Sequence, residues 1–427
     1  MKPEEYIKKI EDGHLDKNLQ KLYSIEEIDK QKKRYINAIS IFKENFKEEN
    51  INDIEIFSSP GRIELCGNHT DHQHGCVLAA AVNVDTIAVV SFNDSSKINL
   101  VSKGFDIKEI SYDNLEFKEE EKETSTAIIK GVCDCFLKKG LRPKGFVAYV
   151  ESDVLTGGGL SSSASFEILI ATILKKATSC DISNVEIAKI GQFAENRYFL
   201  KNCGLMDQLV CCVGGCVFID FSDIENPNIE KIDFSFKKAG FEIVVTDTKK
   251  SHENLSDEYS AIPSEMKTVA RYFKKEFLVD VSYEDFLNNL SNLKDCCSNR
   301  AILRAAHFFD ETKRAKEGFS ALKNNNFDIF LKNVKSSCDS SKTLLQNIFS
   351  VNNPKDQRIS VSLYIGERIL KEKGAIRVHG GGFGGTTIAF VPKDLVLEYK
   401  KNMEAFFGQG SCLFLNVRSL GGSLISF

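Results

Sequence analysis

The stretch Val154–Ile168, VLTGGGLSSSASFEI, runs three glycines and a block of serines straight into an apolar helical pattern. Gly157, Gly158 and Gly159 lack Cβ atoms, so they can take positive φ and let a ligand approach the backbone. The serines can cap the helix that follows, whose first amides have no intrahelical partner. A loop joined to a helix N-terminus in this way is an anion site, suited to phosphate. No lysine follows the glycines, so this is not the GxxxxGK[ST] loop. Read alone, the same letters also fit a flexible Gly/Ser linker.

Other segments carry polar groups that could complete such a site. Ser59–Gly75 reads SPGRIELCGNHTDHQHG and places Arg62, Asn68, His69, Asp71, His72 and His74 on a glycine-punctuated stretch. Arginine, carboxylate and imidazole together make a polar cage for a hydroxylated ligand. The histidines also admit a zinc or nickel reading, although HxxHxH is an uncommon ligand spacing. Glu195 lies late in a helical pattern, and Asp207 follows in NCGLMDQL among Leu205, Met206 and Leu209. A carboxylate in apolar company needs a cation or strong donors. Asp247–Tyr259, DTKKSHENLSDEY, is a polar segment after a strand, readable as a helix start with Asn254 as its cap. Gly380–Gly385, GGGFGG, lies between two strand patterns; it is a hairpin loop or a second backbone layer against a phosphate.

The elements that must position these groups follow from periodicity and punctuation. Residues 1–25 read as a polar accessory leader with one short helix, and Ile28–Phe46 as a helix. Ile54–Phe57 starts a short strand ending at Pro60-Gly61, and Val77–Phe92 is apolar enough for two buried strands. A helix over Thr126–Lys139 and a strand over Gly145–Ser152 lead into the glycine loop. Ser161–Ala177 and Val185–Leu200 are helices, and Val213–Asp220 is a strand. Composition turns polar near 221–240, which divides the chain into a domain at 26–230 and another at 231–427. Beyond a strand at Phe241–Thr246, residues 254–346 are mostly helical. Val361–Lys373 is a helix with Gly374 as its C′ residue. Strands over Ala375–His379, Thr386–Val391 and Cys412–Val417 and a helix over 393–407 complete the chain. Mixed strand and helix order in both halves predicts an α+β fold.

Composition narrows the partners. A chain of 427 residues predicts two domains. Its 56 basic and 60 acidic residues leave a net charge of −4, so no global basic field draws it to nucleic acid or an acidic membrane. The N-terminus has no apolar signal core, and no run approaches the roughly 20 apolar residues of a membrane span. Thirteen cysteines without a CxxC pair read mostly as small buried hydrophobes in a reducing cytosol.

With these residues laid out, the chain resembles the GHMP kinases and, within them, the galactokinase family. SSPGRIELCGNHTDHQHG is similar to a signature of the form PGRxNLxGEHxDYNxG; GGGLSSSAS is similar to the family's phosphate loop, and HGGGFGGTTIAFV to its third motif. CGLMDQ and the spacing Glu195…Asp207 agree, as does DTKKSHENLSDEYS with a segment ending in SxEY. The resemblance spans about residues 26 to 427. It implies a GHMP-kinase-like fold of two α+β domains with the active site in the cleft between them. It further implies an ATP- and Mg²⁺-dependent kinase acting on the anomeric hydroxyl of galactose. Gly157, Gly158, Gly159, Leu160, Ser161, Ser162, Ser163 and Ala164 would hold ATP, and Ser163 and Glu195 the metal. Arg62 and Asp207 would be catalytic, with Asn68, His69, Asp71, Gly204 and Tyr259 on the sugar. A sugar and ATP are the implied partners, with no nucleic acid and no membrane, in a cytoplasmic monomer.

The departures from the pattern concern the sugar. Asn68 replaces a glutamate that would accept from the C6 hydroxyl, Glu64 replaces an asparagine, and His72-Gln73 replaces Tyr-Asn. Ala261-Ile262-Pro263 stands where an arginine pair is implied, and Ser336-Ser337-Cys338 lacks the implied histidine and arginine. A kinase for galacturonate or another galactose-like sugar, and a non-catalytic sugar- and nucleotide-binding regulator, are the alternatives this leaves.

Overall fold

The computed structural model describes residues 1–49, 51, 53–249 and 255–427. Asn254, the expected cap, lies outside them. The chain opens with helices α1 (Pro3–Glu11), α2 (Asp16–Leu19) and α3 (Ile28–Asn45). Strands β1 (Glu55–Cys66), β2 (Cys76–Asn93), β3 (Lys97–Ser102) and β4 (Ile110–Ser111) follow. Then come α4 (Ser125–Lys138), β5 (Gly145–Ser152), α5 (Ser162–Thr178), α6 (Asn184–Ala194), α7 (Met206–Val213), β6 (Cys216–Asp220) and β7 (Asn228–Ile232). The second half holds β8 (Phe241–Asp247), α8 (Ser256–Tyr272), α9 (Tyr283–Asn288), α10 (Leu290–Leu293), α11 (Asn299–Lys323) and α12 (Phe327–Ser340). It ends with α13 (Arg358–Leu370), β9 (Ala375–His379), β10 (Thr386–Pro392), α14 (Val396–Phe407), β11 (Cys412–Leu415) and β12 (Ser423–Ile425). Helices and strands alternate irregularly around two sheets, as an α+β fold requires.

One sheet runs β12-β1-β2-β5-β3-β4, with β6 and β7 continuing from β2; the other runs β11-β8-β10-β9. One face of the first sheet is covered by α4, α5, α6 and α7 over a core that includes Phe57, Val90, Ile129, Phe146, Ile168 and Leu209. A second core lies between the sheets and takes Ile63, Leu65, Leu78, Leu160, Val245, Ile388 and Phe390, together with α11 and α12. The glycine-loop leucine, Leu160, is buried there.

Several local expectations are corrected. The first strand does not end at Pro60-Gly61: β1 continues to Cys66, with register shifts at Pro60/Arg62 and Glu64/Cys66. A bulge accommodates a residue without an N–H, so proline is tolerated inside a paired strand. Arg62 therefore stands on a strand and not on a loop. Val77–Phe92 is one strand, because Asn83 and Asp85 are satisfied from the side and no turn is needed. Buried Asp85 pairs with Arg34 at 2.7 Å and Arg418 at 2.9 Å and accepts from Tyr23 at 2.5 Å. The strand over Val213–Asp220 begins only at Cys216, since α7 runs through Val213 and ends at Gly214. Helix α13 ends at Leu370 with Lys371 at φ 46, so Gly374 is not its C′ residue. Gly374 is instead packed where a Cβ would lie 2.5 Å from the Phe390 carbonyl. Strands β3 and β4 had no sequence expectation. Within residues 1–25, Tyr6, Ile10, Leu15, Leu19 and Leu22 are buried against the other face of the first sheet, with Ile56, Ile87, Val89, Val147 and Tyr149, and the Tyr6 hydroxyl donates to the Ile425 carbonyl at 2.6 Å. The cysteines are free thiols, most of them buried.

Candidate active site

The glycine loop stands between β5 and α5. Gly157 and Gly159 take φ of 72° and 70°, the left-handed region that favours glycine. Gly159 has a second constraint: a Cβ there would lie 2.6 Å from Thr386 Oγ1 and 3.1 Å from His379 Nδ1. Gly158 has no positive φ; a Cβ on it would meet the Leu155 Cβ at 2.7 Å. Ser161 occupies the N-cap position of α5 but its side chain makes no cap bond. Its hydroxyl donates to Asp207 instead. The opening amides of α5 are thus left without a side-chain cap.

Asp207 sits in the first turn of α7, opposite Arg62 on β1. The pair is bidentate: Arg62 Nε and Nη2 each donate at 2.6 Å, to Oδ1 and Oδ2. Arg62 Nη1 also donates to the Gly159 carbonyl, so one guanidinium ties the acid to the phosphate loop. Burial raises the Asp207 carboxyl, but Arg62 outweighs it and holds the group below its ordinary value. Ser163 and Glu195 meet one turn away, where the hydroxyl donates to Oε1 at 2.8 Å. Glu195 closes α6 at the start of a π-turn, Glu195–Phe199, and is 2% exposed.

The segment after β1 folds over the other side. His69 Nε2 donates to the Gly381 carbonyl at 2.9 Å, and burial, reinforced by His72, pushes its pKa down to about 3. Asp71 lies against Gly204, where any Cβ would collide with its carboxylate. The Tyr259 hydroxyl donates to the Gly382 carbonyl at 3.0 Å, and the ring packs edge-on against Phe383. The GGGFGG loop connects β9 to β10, with Gly380 against Gly159, so the two glycine loops meet.

Asn68 is almost fully enclosed by protein. Its amide donates to Glu64 Oε2 at 3.2 Å and to the Gly380 carbonyl at 2.9 Å, and its oxygen accepts from Asn347 Nδ2 at 2.9 Å. Glu64 is paired in turn with Arg377 at 2.5 Å. Behind this wall, Glu311 on α11 accepts from the Gly67 amide at 3.0 Å and from Ser337 at 2.6 Å, and pairs with Arg314 at 2.6 Å. His307, on the same helix, donates to the Asn68 carbonyl at 2.9 Å. Arg377, Asn347, His307 and Glu311 gave no signal in sequence reading, because isolated polar residues on helices and strands look like solvated positions until burial pairs them.

The histidines do not converge on a metal. The His69 and His72 rings stack at 5.8 Å, whereas His74 stacks on Phe277 at 3.8 Å. Among the described residues no group of three or more His, Cys, Asp or Glu is set for an ion. The hard oxygens of Ser163 and Glu195 do fit Mg²⁺, which takes one or two protein ligands and completes its shell with phosphate and water.

Comparisons with known proteins agree with this geometry. Residues 40–92 match the galactokinase galactose-binding signature, and residues 127–215 match the GHMP kinases N terminal domain. A Clostridium acetobutylicum galactokinase is 32% identical over 85% of this chain and 91% of its own length. A galactokinase of Fusobacterium nucleatum is 29% identical over 86% and 92%. The crystal structure of Lactococcus lactis galactokinase complexed with galactose superposes with a TM-score of 0.77 at 24% identity, over 90% of this chain and 99% of that one. Methanococcus jannaschii mevalonate kinase shares the fold at a TM-score of 0.59 and 17% identity, over 86% and 99%. With an acid held by arginine at the foot of the glycine loop, and matches of this extent, the chain belongs to the galactokinase family of GHMP kinases and is a sugar kinase.

Proposed function

We propose that this protein transfers the γ-phosphoryl group of ATP to the anomeric hydroxyl of galactose. The observation that carries the reading is the Arg62–Asp207–Ser161 cluster at the foot of the glycine loop, with Ser163 and Glu195 beside it. Phosphoryl transfer needs positioning, neutralisation of phosphate charge and an oriented hydroxyl. The loop amides over 157–164 hold the phosphates. Ser163 and Glu195 would hold Mg²⁺, which would neutralise phosphate charge when bound. Asp207, kept ionised by Arg62, accepts or orients the proton of the sugar O1. Arg62 lies between that acid and the loop, where it stabilises charge on the transferring group. His69, Asp71, Gly204 and Tyr259 line the sugar side, with Asn68 in the wall behind them. The glycine-loop domain is residues 26–230 and the partner domain 231–427, with β12 returning to the first sheet and residues 1–25 packed on it. Among the described residues no helix is long and apolar enough to cross a membrane.

One observation keeps a second sugar in view: the side chain at position 68 is a neutral amide, paired with the buried Glu64, where the signature carries a carboxylate. The deciding experiment measures ADP release with galactose, galacturonate, N-acetylgalactosamine, glucose and arabinose. Galactose with the highest kcat/KM supports the proposal. Galacturonate above galactose replaces the substrate but not the reaction. ADP release with no sugar in the panel returns the chain to a binding regulator.

A further inference from the structure

Beneath the Ser163–Glu195 pair lies a buried polar group that the reaction, as described, does not use. Gln208 follows Asp207 in α7 and is 0% exposed. A primary amide has two N–H donors. Nε2 is 2.9 Å from Glu195 Oε2 and 3.0 Å from Glu167 Oε2, with the Cys203 Sγ farther out at 3.6 Å. One amide therefore clamps two carboxylates. Its nitrogen end faces both carboxyl groups. Glu167 lies four residues after Ser163 on the same face of α5 and is itself 0% exposed.

The arrangement is not the cheapest packing. Gln208 Oε1 and Glu167 Oε1 are buried without a protein partner among the described residues. Each such atom is buried at a cost, so apolar side chains here would stabilise the fold. Three helices nevertheless close tightly on the group: a Cβ on Gly191 of α6 would lie 3.1 Å from Gln208 Cγ and 3.2 Å from Glu167 Oε2. Polar groups kept at a cost beside a reactive centre point to function. With Oε2 of Glu195 taken by Gln208, its Oε1 is the oxygen turned to Ser163, 2.8 Å away, and lies 3.5 Å from Lys201 Nζ.

We propose that Gln208, seated on Glu167, is a positioning residue that fixes the Glu195 carboxylate in the orientation that receives a divalent cation. The inference rests on the cation reading of Ser163 and Glu195 given above. It also couples two tasks, because one helical turn carries both the acid for the sugar hydroxyl and the amide that aims the metal carboxylate.

Mn²⁺ binding to the full-length protein with ADP, followed by electron paramagnetic resonance, tests this without turnover. Gln208→Leu removes both donors and should raise the Mn²⁺ dissociation constant about tenfold or more, the usual effect of losing a group that orients a metal ligand. Metal-free ADP affinity and sugar affinity should stay within about twofold, because neither contact set includes Gln208. Glu167→Gln keeps an acceptor for the amide and should bind Mn²⁺ within about threefold of wild type, whereas Glu167→Leu should weaken it as Gln208→Leu does. If Gln208→Leu does not fold, the contrast between the two Glu167 variants decides. Unchanged Mn²⁺ affinity in Gln208→Leu, equal affinity in the two Glu167 variants, or a parallel loss of metal, ADP and sugar binding overturns the inference. A wild-type protein whose Mn²⁺ affinity does not rise with ADP overturns the cation reading first, and is recognised because it appears before any variant is compared.

Discussion

Replacing Asn68 by glutamate tests both the sugar wall and the packing behind it. The substituted side chain would put a second carboxylate beside Glu64, whose Oε2 now accepts from Asn68 at 3.2 Å. Two like charges about 4 Å apart at an effective dielectric of about 20 repel by about 4 kcal/mol. Glutamate also cannot donate to the Gly380 carbonyl, now bonded at 2.9 Å, which adds about 1–3 kcal/mol for a buried acceptor left unpaired. Arg377, 2.5 Å from Glu64, offsets part of the repulsion, so a net loss of about 4 kcal/mol is expected. The sign with pH follows from linkage. Repulsion raises the folded pKa of the added carboxyl above its unfolded value. The variant therefore comes nearest to wild type below about pH 4, where the carboxyl can donate one of the two lost bonds, and loses ground as pH rises through the folded pKa. In urea unfolding, Asn68→Glu should be deficient at pH 7 and recover on acidification. Glu64→Gln with Asn68→Glu should be better than the sum of the single changes by roughly 2–3 kcal/mol, since the new amide donates to the new carboxylate. On galactose and galacturonate, the double variant should move the kcat/KM ratio toward galactose. An unchanged urea midpoint for Asn68→Glu would refute the Glu64 contact, and an unmoved sugar ratio would show that position 68 does not face C6.

Asp207→Asn should keep ATP affinity by calorimetry and lose about 10²–10⁴-fold in turnover, because the lost interaction belongs to the transition state. Because Arg62 holds Asp207 below its ordinary value, wild-type kcat should show no acid limb from this group above about pH 4. Gly158→Val should fold but lose nucleotide binding; the structure assigns the clash to Leu155 and not to a forbidden φ, and unchanged calorimetric binding would return the loop to a linker. Glu311 is held down to about 2 because Arg314, His307 and Arg377 outweigh its burial. Its stabilisation is complete above the unfolded carboxyl range and is lost as pH falls through about 2, so Glu311→Gln should cost about 3 kcal/mol at pH 7 and flatten the stability profile below pH 4.5.

What could be read from residues alone was local. The phosphate loop announces itself because glycine freedom and a helix start are properties of consecutive residues. Asp207 signals a need for a cation because its neighbours in sequence are apolar. The order of three motifs indicates the family, and periodicity places most helices. What required the tertiary structure was every pairing across the chain. Arg62 reaches Asp207 145 residues away, and Asn68 reaches Gly380 312 residues away. Strand β1 passes through Pro60-Gly61 because neighbouring strands absorb the bulge, which no local rule supplies. Asp85 is a buried hub between Arg34 and Arg418, and the residues before Ile28, which read as a polar leader, cover a face of the first sheet. Gln208 is the last letter of CGLMDQ, but its grip on Glu167 and Glu195 shows only when three helices close on them. The division has a physical cause. Turn chemistry and hydrophobic period act between neighbours in sequence, whereas the cost of burying a charge is set by what the fold brings to it from far along the chain.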